Sequence, residues 1–274
     1  MSVVWLNGAL VDAAAARIDI TDRGFLLADG LFETLLARQG HIKRLDEHLE
    51  RMHAGAGVLG IPMPFDLETI GRSAEDLLVA SGLGSAERAS LRITLTRGSG
   101  PRGLNPPLDP RPTLLITAQA ASAPPESMTA VTSKTIRRDA ASPLSSVKSL
   151  AYTGNILARL EAQAAGVDEA LLLNTDGNLA SASAANVFLV ENGVLATPPV
   201  SDGALPGIER DSVISEAQRL GITVREETVA PVRLRSASEI FLTNSLIGIC
   251  PLVSLDERRL EIGALTERLI EAIA

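Results

Sequence analysis

Apolar residues along this chain recur with two periods, about 2 and about 3.6 residues, and turn-forming residues separate the stretches. The first apolar run, residues 3–6, stops at Asn7-Gly8, and a broken pattern continues to Gly24. Residues 31–38 and 42–44 flank Gln39-Gly40, which predicts a hairpin. Asp46 is placed to cap a helix running to residue 59, in which Leu45, Leu49, Met52 and Ala56 share one face and which Gly60 and Pro62 end. A second helix is predicted over residues 66–81, closed by Gly82 and Gly84. Strands follow over 89–96 and 113–118, with a loop rich in Gly, Pro and Arg between them.

Small residues and prolines at 120–126 make the best linker in the chain. They divide it into residues 1–119, a linker at 120–127 and residues 128–274. In the second part the pattern predicts a strand over 130–135 and a helix over 152–165 with Ile156, Leu157, Leu160 and Ala164 on one face. A buried strand over 168–174 ends in the turn Asp176-Gly177-Asn178. Residues 187–191 and 194–197 around Asn192-Gly193 give the strongest hairpin signal, because that dipeptide suits the positive φ angles of a tight turn. A helix over 209–220, strands over 222–226 and 239–243 and a helix near 262–273 complete the chain, and no repeat is visible.

Composition narrows the function classes. The 274 residues are 46% hydrophobic and 21% charged, enough to bury one large core or two moderate ones. A net charge of −8 without any run of Lys or Arg offers no positive field to nucleic acid or to an anionic membrane. The single cysteine, Cys250, lies in an apolar run and reads as a buried, inert thiol. No basic segment followed by a sustained apolar stretch opens the chain, and no apolar run is long enough to span a bilayer, so a cytoplasmic protein is expected.

Two tempting motifs fail on physical grounds. Gly98-Ser99-Gly100-Pro101-Arg102-Gly103 spells a dinucleotide fingerprint after a predicted strand, but the fingerprint needs a helix next, and Leu104-Asn105-Pro106-Pro107-Leu108-Asp109-Pro110 cannot form one. His48 and His53 lie on different sides of a predicted helix and no Cys or acidic cluster joins them, so no metal site is expected.

Several groups of residues stand in a telling order. Asp22-Arg23-Gly24-Phe25-Leu26-Leu27-Ala28-Asp29-Gly30-Leu31-Phe32-Glu33-Thr34 and His48-Leu49-Glu50-Arg51-Met52 come first. Val147-Lys148-Ser149-Leu150-Ala151-Tyr152, Asn186-Val187-Phe188, Leu205-Pro206-Gly207-Ile208 and Phe241-Leu242-Thr243-Asn244-Ser245 follow. Together they resemble the class IV, fold-type IV pyridoxal-phosphate enzymes: branched-chain aminotransferases, D-amino-acid aminotransferases and aminodeoxychorismate lyases. The likeness runs from Asp22 to Leu252.

That resemblance implies a mixed α+β or α/β chain of two domains, the N-terminal one a smaller α/β unit and the C-terminal one a larger β-barrel-like unit with helices. Pyridoxal 5′-phosphate is expected between them, in a homodimer. Lys148 is expected to carry the cofactor as a Schiff base and Arg51 to bind its phosphate, with pairing to Glu47 or Glu50 as the structural alternative for Arg51. Backbone N–H groups of Ile208 and Glu209 at a helix start after Gly207, with Asn244 and Ser245 on a separate loop, complete the implied cradle. Tyr152 is expected at the cofactor's phenolic oxygen, Glu33 near the substrate to order the site, and Phe32, Thr34 and Arg102 against the substrate itself.

Two positions depart from the family's pattern. Glu209 stands where Thr is common, which removes a side-chain contact, and Ser181 stands where a glutamate usually keeps the pyridine nitrogen protonated. The resemblance then implies an aminotransferase exchanging an amino group between an amino acid and a 2-oxo acid. An aminodeoxychorismate lyase releasing pyruvate and 4-aminobenzoate is the alternative, and a catalytically poor cofactor-binding protein is a remote one suggested by Ser181 alone.

Overall fold

In the computed structural model, which describes residues 2–273, the chain divides into two units: Met1–Ala123 with Val147–Ala151, and Pro124–Ser146 with Tyr152–Ala274. The alternating runs of the first unit become β1 (Val3–Leu6), β2 (Ala9–Asp12), β3 (Gly30–Arg38), β4 (His41–Ile42), β5 (Ala89–Thr96) and β6 (Thr113–Ala120). They form one sheet in the order β2-β1-β6-β5-β3-β4, with every pairing antiparallel. One face is covered by α2 (Leu45–Leu59) and α3 (Leu67–Ala80), after a short α1 (Arg23–Leu27). Leu49, Met52 and Ala56 of α2 and Ile70, Ala74 and Leu77 of α3 meet Leu31, Leu35, Leu91, Ile93 and Leu95 in the core. Alternation thus makes one-sided strands, and helical spacing supplies the cover.

Local chemistry explains the element ends. Asp66 accepts the Thr69 N–H at 2.7 Å and caps α3. Asp46, expected to cap α2, instead sits in its first turn; the cap position is Arg44, at φ 52° and without a side-chain cap bond. Gly60, at φ 61°, stops α2 in the left-handed conformation, where its missing Cβ removes the steric cost. The short α1 was not evident in the sequence, because its apolar Phe25, Leu26 and Leu27 are exposed rather than turned to a core.

The second unit carries β7 (Met128–Arg138), α4 (Thr153–Ala164), β8 (Glu169–Asn174), β9 (Leu179–Ala182), β10 (Asn186–Glu191) and β11 (Val194–Thr197). It continues with α5 (Ile208–Arg219), β12 (Val224–Glu226), α6 (Pro231–Ser236), β13 (Glu239–Asn244), β14 (Gly248–Leu255), β15 (Arg258–Arg259) and α7 (Ala264–Ile273). The sheet runs β12-β11-β10-β13-β14-β7-β8-β9, with β15 attached to β14. It is mixed: β7 pairs parallel with β8 and with β14, and β11 parallel with β12.

Both faces of its middle are buried, which explains near-continuous apolar runs in place of clean alternation. Val187, Leu189, Ile240 and Leu242 pack in one cluster, while Phe188 and Phe241 stack at 5.0 Å in another with Val213 and Ala217 of α5 and Leu269 of α7. Cys250 is fully buried, and burial, followed by the charge of Asp168, pushes its thiol up to about 11. It is inert at neutral pH.

Two further expectations need correcting. Ile156, Leu157 and Leu160 share a face of α4, but that face is 57, 49 and 52% exposed; α4 packs through Ala158 and Ala162 instead. Residues 147–151, expected within the C-terminal domain, belong to the first unit, because Val147 is buried in that unit's core and Ser149 bridges to Leu31.

Candidate active-site residues

Within the first unit, the start of β3 organises the chemistry. Phe32 N–H donates to Lys148 C=O at 2.9 Å, and Leu150 N–H donates to Gly30 C=O at 2.9 Å, so residues 147–151 lie antiparallel along the strand. Val147 and Ser149 are buried, and Lys148 takes the alternate side, with Nζ 4.5 Å from the centre of the Phe32 ring. The Arg92 guanidinium lies 3.7 Å from the centre of the same ring. Arg92 escaped the sequence reading. Its signal was the alternation of β5, where Leu91, Ile93 and Leu95 are buried and Arg92 pairs in register with Thr34.

The opposite row of β3 carries Leu31, Glu33 and Leu35, all buried against α2. Glu33 is 1% exposed and ties down two helix residues. Arg51 donates through Nε to Oε1 at 2.8 Å and through Nη2 to Oε2 at 2.6 Å, and His48 Nδ1 stands 2.7 Å from Oε2. Burial pushes the Glu33 carboxyl up, but hydrogen bonds from His48 and Arg51 and the charge of Arg51 outweigh it and hold the group below its ordinary value. Arg51 therefore pairs with Glu33, a partner other than the Glu47 or Glu50 expected as its structural alternative.

Arg102 is exposed on the loop between β5 and β6, which contains no helix, as the prolines require. Arg23 fixes that loop by donating to the carbonyls of Gly103, Leu104 and Asn105, and Asp29 holds both Arg23 and Arg97.

The second unit presents a different set. Gly207 is the cap residue of α5, which leaves the Ile208 and Glu209 N–H groups in its first turn. A Cβ on Gly207 would lie 2.1 Å from Asn186 Oδ1, while Asn186 Nδ2 donates to Leu205 C=O at 2.9 Å. The Asn186 and Gly207 motifs, distant in sequence, are thus one contact. Asn244 braces its own loop and ties it to the turn between β9 and β10: Oδ1 accepts from Leu246 and Ile247 N–H, and Nδ2 donates to Ala184 C=O. Its side chain shapes the loop that carries Ser245.

Ser181, on β9, is 6% exposed, and its Oγ has no hydrogen-bond partner; the same holds for Thr243 Oγ1 on β13. Tyr152 precedes α4, and its phenol interacts with Arg138, whose guanidinium burial pushes down in pKa and Tyr152 pushes up. Arg138 donates to the carbonyls of Gly203 and Ser145 and has no carboxylate within ion-pair distance among the described residues. Sequence inspection missed Arg138, since a lone arginine in a strand carries no motif. No group of His, Cys, Asp and Glu able to hold a metal occurs among the described residues.

These donors fit the pyridoxal phosphate that the resemblance implies. Buried hydroxyls without partners are costly unless a ligand satisfies them, and Ser181 and Thr243 are two such groups. A helix start suits a phosphate, and an amine at Lys148 suits an aldehyde.

Comparison with known proteins agrees. Residues 30–255 match the model of the family described as amino-transferase class IV. A Methanocaldococcus jannaschii protein assigned as a branched-chain-amino-acid aminotransferase is 36% identical over 98% of this chain and 94% of its own. The D-alanine aminotransferase of Listeria innocua is 31% identical over 92% of this chain and 87% of its own. Among solved structures, the Escherichia coli branched-chain amino acid aminotransferase superposes with a TM-score of 0.94 at 26% identity, covering 99% of this chain and 93% of that one.

The Asn186–Gly207 contact is open to test. Gly207→Ala should raise the dissociation constant for pyridoxal phosphate by about tenfold or more, since displacing Asn186 shifts the start of α5. Titration by absorbance reads this, and an unchanged constant would remove the α5 start from the binding surface.

Proposed function

The chain belongs to the class IV amino-transferase family, and on that premise we propose that it moves the amino group of an aliphatic amino acid to a 2-oxo acid, with Lys148 carrying its cofactor. The protein is a pyridoxal-phosphate aminotransferase of fold type IV. What carries the assignment of Lys148 is its hydrogen-bonded place on β3, with the amine against Phe32. When bound, the cofactor supplies an aldehyde for the amino group and a conjugated ring that accepts the electron pair from the substrate's α-carbon.

The chain's own residues do the rest. Lys148 Nζ would anchor the cofactor through its aldehyde and would serve as the base that takes and holds the proton of the substrate's α-carbon. Arg51 and the N–H groups of Ile208 and Glu209, with Ser245, hold the phosphate. Tyr152, backed by Arg138, would orient the phenolic oxygen, and the unpartnered Ser181 Oγ would donate to the ring nitrogen. Phe32 and Thr34 line the substrate side. Arg92, a cation on the same ring as Lys148, draws the substrate's carboxylate, and Arg102 guards the approach from its loop. The aliphatic donor is supported by the relatives, whose names specify branched-chain amino acids and D-alanine.

A homodimer belongs to this reading. Ile20, Phe25 and Leu26 in the first unit are 80, 76 and 56% exposed, and Ile156, Leu157 and Leu160 form a stripe on α4 in the second. Apolar patches of this kind mark surfaces that a second copy covers. No helix among the described residues is long and apolar enough to cross a membrane. We take the enzyme to act in the cytoplasm, where a single buried thiol has no use for a disulfide.

Three measurements test these points. A half-reaction panel of leucine, isoleucine, valine and both enantiomers of alanine should convert the cofactor's aldehyde form to its amine form, while 4-aminobenzoate release from aminodeoxychorismate stays at background. Lyase product without amino transfer would overturn the reading. Ser181→Glu should raise the pH at which the ring nitrogen loses its proton, seen in absorbance titrations, without abolishing binding; identical spectra across pH would move Ser181 away from that nitrogen. Wild type should sediment as a dimer, and Leu157→Glu should weaken self-association by about tenfold or more through a buried charge. A monomeric wild type would end the dimer proposal.

A further inference from the structure

We propose that Glu33 and His48 are positioning residues for Arg51: they fix the plane of its guanidinium so that the cofactor's phosphate meets a cation already aimed. The proposal rests on the phosphate role given to Arg51 above and adds how that role is built.

The starting observation is a carboxylate where the pattern calls for a hydrophobe. Leu31, Glu33 and Leu35 form one row of β3 beneath α2, and all three are buried. A charge in such a row is expensive, and an apolar side chain of similar volume would serve stability as well or better. Glu33 therefore calls for an explanation other than packing.

Its bonding supplies one. Both Glu33 oxygens engage the Nε and Nη2 edge of Arg51 side-on, at 2.8 and 2.6 Å, a two-point contact that leaves the guanidinium little freedom to rotate. His48, three residues before Arg51 on α2, stands against Oε2 at 2.7 Å and keeps the carboxylate from swinging away. Side-chain exposure is 13% for Arg51, against 1% for Glu33 and 2% for His48 behind it. The arginine is the outward end of the cluster, and the two groups behind it are sealed.

An unheld arginine would lose side-chain freedom each time it gripped a phosphate, so orienting it in advance lowers that cost. The Glu33 charge works against phosphate binding, which makes orientation, not net attraction, the gain. Phe32, the adjacent residue of β3, bonds to the Lys148 backbone and supports its amine. The clamp and the lysine thus hang from consecutive residues of one strand.

The experiment compares binding of pyridoxal phosphate and of pyridoxal, which lacks the phosphate, to cofactor-stripped full-length protein, by absorbance. The ratio of the two dissociation constants isolates the phosphate contribution. Arg51→Ala should collapse the ratio. Glu33→Gln should lower it by about tenfold while the pyridoxal constant stays within about twofold of wild type, the size of loss expected when the groups behind a binding residue are removed. His48→Gln should lower it less. An equal weakening of both ligands by Glu33→Gln would make the cluster merely structural and overturn the proposal. If Arg51→Ala leaves the ratio intact, the phosphate role of Arg51 fails and the clamp with it. If Arg51→Ala collapses the ratio and Glu33→Gln does not move it, only the clamp fails. Should Glu33→Gln not fold, His48→Gln decides by the same ratio, an unchanged value counting against.

Discussion

Two backbone hydrogen bonds at the start of β3 set the position of the Lys148 backbone and so of its amine. The residues from Val147 to Ala151 would otherwise be part of a connection between β7 and α4. The bonds from Phe32 to Lys148 and from Leu150 to Gly30 turn this stretch into an extra partner of the strand, and buried Val147 anchors it. Once the backbone is fixed, side-chain alternation leaves Lys148 no choice of face. A lysine on a free loop would sample many positions; this one is held by a sheet whose core is closed by α2 and α3.

The same strand explains why charged and apolar residues interleave there. Phe32 and Thr34 serve one face and Glu33 the other, so successive residues of one strand contribute to two different tasks. A one-residue slip in register would exchange these faces and place the carboxylate beside the lysine. The full-length antiparallel pairing of β3 with β5 guards against that slip, since Leu31, Leu35, Leu91, Ile93 and Leu95 would all leave the core together.

Much of this was legible in the sequence, for reasons that differ by element. The β5 span, the hairpin at Asn192-Gly193 and the end of α2 at Gly60 followed from alternation, positive-φ chemistry and helix stop signals. The motifs around Lys148, Arg51 and Gly207 were visible as letters, but their joints were not. Nothing in one dimension shows that Arg51 pairs with a residue 18 positions earlier, or that Asn186 is what demands glycine at 207. The stripe on α4 misled in a further way: helical spacing reports an apolar face correctly, yet cannot tell burial within the chain from exposure on its surface.

Ser181 is the place where chemistry and packing meet most directly. Every residue of β9 is buried, so a carboxylate at 181 would be a buried charge needing a permanent partner. The one buried carboxylate close by on the neighbouring strand cannot stand in for it. Glu169 already accepts from Arg159, from the Ala170 N–H and from both the backbone and hydroxyl of Ser183. Its oxygens are committed, and releasing them would strand Arg159 and Ser183 in turn. A hydroxyl at 181 costs less to bury, and on the proposed reading it would donate to a ring nitrogen that lacks a proton instead of sharing one with it. The electron sink would then be shallower than a protonated ring provides. In that reading Lys148 would carry more of the α-proton transfer, and the β3 hydrogen bonds fix the backbone from which its amine extends.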